Sequence, residues 1–159
     1  MDRRALNLQH DSMHRVRGVV IHDAVQATAA LAAAAESMPQ DASLLLLSAP
    51  GAALYLSPRL FLAITGPALA NMLPVLDCGT AAGHALAALR AGCPGLVLAP
   101  CPSFAAVAAA AVEAGAWLWP SPPPALDMAS LRPGQARDDA RLQAWLAAPE
   151  AASMAGAAR

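Results

Sequence analysis

The sequence has no lysine; all ten of its basic residues are arginine. That absence excludes a P-loop, whose lysine reaches the phosphates, a Schiff-base mechanism, and the lysine of a phosphoryl-accepting receiver domain. Charge of either sign is scarce, at 13% of residues against about 25% in an ordinary soluble domain. With a net charge of −1 the chain carries no basic footprint for nucleic acid and no polybasic membrane surface. Cysteine is also sparse. Cys78, Cys93 and Cys101 are odd in number and lack a framework spacing, so they read as reduced thiols in a cytoplasm rather than as a disulfide scaffold.

The few charges are unevenly placed. Between Gly18 and Leu126 there are seven: Asp23, Glu36, Asp41, Arg59, Asp77, Arg90 and Glu113. Three arrangements explain so bland a stretch: burial in a membrane, burial of alanine-rich helices in an oligomer interface, or an alanine-rich surface. The longest uncharged run, Ala91 to Val112, has the length of a membrane span, but Gly92, Pro94, Gly95, Pro100 and Pro102 break it. Every uninterrupted apolar piece is the size of a strand or a short helix, so no membrane segment is expected. Residues 1–17 lack the apolar region of a secretory leader and read as a polar arm. Residues 18–148 read as one domain, long enough to bury a core, and residues 149–159 as a frayed tail.

Along that domain, strand and helix signals alternate. Residues 18–23 (GVVIHD) are β-branched in the middle, and the alanine-rich helix expected over 24–37 has Asp23 at its N-cap. Residues 43–48 (SLLLLS) are continuously apolar, as in a central parallel strand covered on both faces. Ser57-Pro58 has the form of an N-cap followed by proline at the first helical position, and Gly66-Pro67 opens a further short helix to Met72. A strand over 74–77 leads through Asp77-Cys78-Gly79-Thr80 into a helix stopped by Gly92. Strand 95–100, helix 104–114 capped by Ser103, and strand 116–120 follow with the same cadence. Ser121-Pro122-Pro123-Pro124 reads as an irregular connector, and 138–146 as an amphipathic helix with Leu142, Trp145 and Leu146 on its apolar side.

This cadence predicts an α/β fold: a five-stranded, mostly parallel, doubly wound sheet with helices on both faces, order 2-1-3-4-5. A half-barrel-like assembly is the alternative. In either, ligands bind where the C-terminal ends of the strands gather. The expected site therefore comprises Asp23, Ser48, Asp77, Gly79, Thr80 and Ser103, with Asp23 and Asp77 close together across the switch point. Gly79 and Gly83 would let an anion approach the N–H groups at the start of the following helix. Capping and close packing explain the same glycines and acids without a ligand, and no metal site is expected. His22 could point into the same cleft as Asp77. A Cys78–His84 pair lacks the spacing to bring base to thiol, and Ser48 lacks a nucleophile elbow. No cofactor motif is present. The expectation is a small ligand or anion at the sheet edge, with no nucleic acid or membrane partner. The alternative is a non-catalytic module that forms a homo-oligomer through its charge-poor helices.

Overall fold

A computed structural model of the protein describes residues 16–67 and 69–148. The polar arm up to residue 15 and the tail from 149 lie outside these described residues. The chain runs β1 (Val16–Val20), α1 (Ala24–Ser37), β2 (Ser43–Leu47), a 3-10 turn (Ala52–Leu54), α2 (Pro58–Thr65) and β3 (Met72–Asp77). It continues through α3 (Ala82–Arg90), β4 (Gly95–Val97), α4 (Phe104–Ala114), β5 (Trp117–Trp119), β6 (Ala125–Asp127), a 3-10 turn (Met128–Ser130) and α5 (Ala136–Ala147).

The local signals act where the sequence places them. Asp23 accepts a hydrogen bond from the Gln26 N–H and starts α1, Ser57 does the same for Leu60 at the head of α2, and Gly115 ends α4 in the left-handed conformation. The segment after Gly66 forms no helix among the described residues. β1 begins at Val16, so Val16 and Arg17 belong to the sheet and not to an arm. Arg17 is 5% exposed. Its guanidinium donates to the Ala148 carbonyl at the C-terminus of α5 and lies over the Trp145 ring, 5.6 Å from the centroid. A helix C-terminus is the negative end of the helix dipole, which explains how this charge is accommodated in a strand.

The α/β class and the parallel pairing are as expected, but the sheet has six strands in the order β5-β4-β3-β2-β1-β6. The order 2-1-3-4-5 is thereby corrected. β1 to β5 follow one another without reversal, and β2 stands between β1 and β3. The added strand, β6, is three residues long and follows a triple proline. Its pairing with β1 is tertiary and leaves no periodicity in the sequence.

Among the described residues the expectation of helices on both faces is not met. The buried hydrophobic residues of all five helices fall into two clusters that share one face of the sheet, on Val19, Leu44, Leu46, Leu76, Leu96 and Leu118. The other face gathers Val16, Leu45, Leu47, Val75, Val97 and Trp119 into a cluster of strand side chains alone. Among the described residues no helix packs on that face. The chain length requires the sheet to curve. β5 and β6 are the outermost strands, and five inter-strand steps of about 4.8 Å would part them by about 24 Å in a flat sheet. The link from Trp119 to Ala125 spans at most about 22 Å and must also return from the end of one strand to the start of another. The sheet therefore curves between its two edges, β5 and β6. Gly95 makes room for an indole: a Cβ there would sit 2.9 Å from Val75 Cγ2 and 3.3 Å from Trp119 Cζ3. Trp117 stacks on Trp119 with centroids 6.0 Å apart.

Candidate functional site

The C-terminal strand ends carry two constructions. The first is built on Asp77, which is 6% exposed. Its Oδ1 accepts hydrogen bonds from the Gly51 N–H at 3.0 Å and the Gly79 N–H at 2.8 Å. Its own N–H donates to Ser48 Oγ at 2.9 Å, and the Ser48 hydroxyl donates to the Ala49 carbonyl at 3.1 Å. One acid thus ties the loop after β2 to the turn after β3. Both turns need glycine: φ is +65° at Gly51 and +55° at Gly79, the left-handed region that other residues enter at a cost. The two backbones nearly touch, since a Cβ on Gly79 would lie 3.8 Å from Gly51 Cα. The Gly79 carbonyl accepts the Ala99 N–H at 2.7 Å and extends the tie to the loop after β4.

This arrangement redistributes the expected site. Ser48, Asp77 and Gly79 are together. Asp23 is not with them, because β2 intervenes between β1 and β3; it caps α1, its Oδ1 2.8 Å from the Gln26 nitrogen. Thr80 is exposed. Ser103 occupies the N-cap position of α4, but at φ −93°, ψ 7° its hydroxyl makes no capping bond. Gly83 does not serve close packing, since a Cβ there would meet nothing within 4 Å. The Gly79 N–H, on the turn that leads into α3, donates to Asp77.

The two buried thiols are not poised for chemistry. Burial, the Asp77 charge and then Cys93 push the Cys78 thiol up to about 12, and burial pushes Cys93 up to about 11. Both are neutral near pH 7, whereas nucleophilic cysteines have lowered values. Among the described residues no group of three or more His, Cys, Asp or Glu could hold a metal ion, and no helix is long and apolar enough to cross a membrane.

The second construction is a cavity of about 180 Å³ at the ends of β1 and β2, roofed by α2 and the 3-10 turn before it. Ile21, Ala52, Leu56, Phe61 and Ile64 supply apolar wall; His22 and Ser48 supply polar side chains, and Ala49 and Tyr55 complete the lining. Asp77 does not line it, so His22 and Asp77 do not share this cleft. Asp77 bears on it only through Ser48 and through the Gly51 turn that leads into its roof. His22 is fixed by β6, with Nε2 2.7 Å from Asp127 Oδ1. The same Oδ1 accepts the Ala129 N–H at 2.8 Å. Partial burial raises the Asp127 pKa, but the Ala129 N–H and the hydrogen bond and charge of His22 outweigh it and hold the carboxyl below the ordinary range. A carboxylate accepts a proton in a hydrogen bond, so in the neutral form of His22 the proton sits on Nε2 and Nδ1 keeps its lone pair.

With the connector placed at Ser121–Pro124 and no strand assigned to 125–127, Asp127 has no place in the expected site. One signal was there: Pro124-Ala-Leu-Asp127 repeats Pro74-Val-Leu-Asp77, a strand of the same form with the same acid at its end. Comparisons with protein-family models, curated proteins and solved structures found no match.

Proposed function

We propose that this protein binds a small molecule in the cavity at the ends of β1 and β2, with His22 and Ser48 as its polar contacts. Asp77 and Gly79 hold the wall of that cavity, Asp23 holds α1, and Thr80 and Ser103 stand outside it. The observation that carries the reading is the cavity itself, apolar on most sides with a few convergent polar groups, which is the form of a ligand pocket. At about 180 Å³ it is of the order of the roughly 150 Å³ cavity that takes benzene, so the ligand has a single ring or its equivalent. Anion binding loses support, because the Asp77 carboxyl is fixed on the Gly79 turn that leads into α3, where its charge opposes an anion. The three free thiols, two of them buried, fit a cytoplasmic protein.

The test is a ligand-observed NMR screen of one-ring fragments on the wild type and on Ala49→Leu, which fills the cavity from a partly exposed position. Fragments that bind the wild type and fail on a folded Ala49→Leu support the reading. Binding that survives the filled cavity contradicts it.

A second reading, self-association into a homo-oligomer, is favoured by Val25, Leu54, Tyr55 and Leu60, large apolar side chains that are exposed. A clean monomer by light scattering at micromolar concentration removes that reading and leaves the first intact.

A further inference from the structure

The polar side chains in the cavity differ in what they still offer. The Ser48 hydroxyl has given its proton to the Ala49 carbonyl and already accepts the Asp77 N–H, so what it has left is acceptor capacity. Neutral His22 gives its Nε2 proton to Asp127 and keeps the Nδ1 lone pair. It is held from several sides. Its backbone N–H donates to Gln26 Oε1 at 2.9 Å, Gln26 Nε2 reaches the Met128 carbonyl at 3.4 Å, and Asp127 is pinned by Ala129. The start of α1 and the end of β6 thus fix one imidazole. The His22 and Asp127 side chains are 34% and 51% exposed, so the ring stands at the mouth of the cavity and not in its floor.

We infer that the cavity selects a small, mostly apolar alcohol or phenol whose hydroxyl donates to His22 Nδ1 while its ring or chain lies against Ile21, Leu56, Phe61 and Ile64. This rests on the ligand-binding reading above and gives it a chemical class. With His22 neutral, a carboxylate ligand would set lone pair against lone pair at both His22 and Ser48. An ammonium would carry a charge into apolar walls, which costs more than one hydrogen bond returns. Tyr55, the remaining polar side chain of the lining, has its ring largely in solvent, so its hydroxyl has water for a partner and does not set the preference.

The experiment uses phenol and anisole, which share a ring and differ in the hydroxyl proton. Both are titrated into the ¹⁵N-labelled full-length protein at about pH 8, where histidines are ordinarily neutral. Phenol is expected to bind about three- to tenfold more tightly than anisole, the worth of one net hydrogen bond. In His22→Phe the two ligands should bind alike. Imidazole ¹⁵N shifts of the free wild type give a second reading that does not depend on a variant folding: a protonated Nε2 and an unprotonated Nδ1, with Nδ1 moving as phenol is added. Equal affinity of phenol and anisole for the wild type overturns the role of His22 and leaves the cavity standing as a binding site. A preference that survives His22→Phe, or a protonated Nδ1, overturns it as well. Failure of both ligands to perturb the cavity overturns this inference together with the reading beneath it.

Discussion

Two strand ends in this molecule are built alike and serve differently. β3 ends in Pro74-Val-Leu-Asp77, and β6 with the proline before it reads Pro124-Ala-Leu-Asp127. In each, Oδ1 of the acid accepts the N–H two residues on, at 2.8 Å from Gly79 in one and 2.8 Å from Ala129 in the other. The second partner separates them. Asp77 takes the Gly51 N–H and disappears into a knot of backbone; Asp127 takes the His22 ring at an exposed mouth. The local turn is encoded by the acid, while its use depends on the neighbouring strand. An acid spent on backbone N–H groups is scaffold; an acid spent on an imidazole fixes a tautomer and leaves a nitrogen free.

Substitution should separate the two acids sharply. Asp77→Ala leaves two loop N–H groups without their acceptor and should cost about 2–4 kcal/mol in chemical denaturation. Asp127→Ala, at a half-exposed pair, should cost less than about 1 kcal/mol while releasing the His22 tautomer. Equal losses would erase the distinction. Next in size is the alkaline response on the Asp77 side. Cys78 and Cys93 are pushed up to about 12 and about 11 from a usual 9.0. The folded state therefore holds protons that the unfolded chain releases. Their contribution is full below pH 9 and is lost as pH rises through these raised values. Denaturation midpoints followed from about pH 8 to pH 11 should fall, and Cys78→Ala should flatten the fall. Iodoacetamide at pH 8 should label Cys101, which is partly exposed, and spare Cys78 and Cys93 in the folded protein.

The glycines give a smaller contrast. Gly79→Ala forces a side chain to φ +55° and should destabilise by about 1–2 kcal/mol. Gly83→Ala, in an exposed helical turn with open space around it, should stabilise by about 0.5–1 kcal/mol. The smallest effect is on the acid side. The Asp127 carboxyl is held low, so its contribution is present above the ordinary carboxylate range and is lost as pH falls through its lowered value. With half the side chain in solvent the effect is slight, and Asp127→Asn should remove it from an acid titration of stability.

What the chain discloses follows the same division. Local chemistry was legible: Asp23, Ser57-Pro58, Gly92 and Gly115 mark helix ends that form where those residues stand. Strand order was not, because a monotonic and a reversing order use the same strands and helices and differ only in where each crossover lands. The misplacement of Asp23 beside Asp77 followed from that order alone. Arg17 hid the start of β1, since a charge in a strand looks like solvent-facing chain until a helix C-terminus and a tryptophan ring are brought to it. Of the expected site, Ser48 reaches the cavity, Asp77 and Gly79 stand behind its wall, and His22 takes its place there through Asp127.

The most direct test is amide chemical-shift mapping with phenol on the wild-type chain. The predicted perturbations centre on His22, Ala49, Tyr55 and Ile64 and leave Thr80 and Ser103 unmoved. Perturbations centred on Gly79, Thr80 and Ser103 would contradict the account, since they would make the Asp77 knot the site and the His22 cavity a bystander.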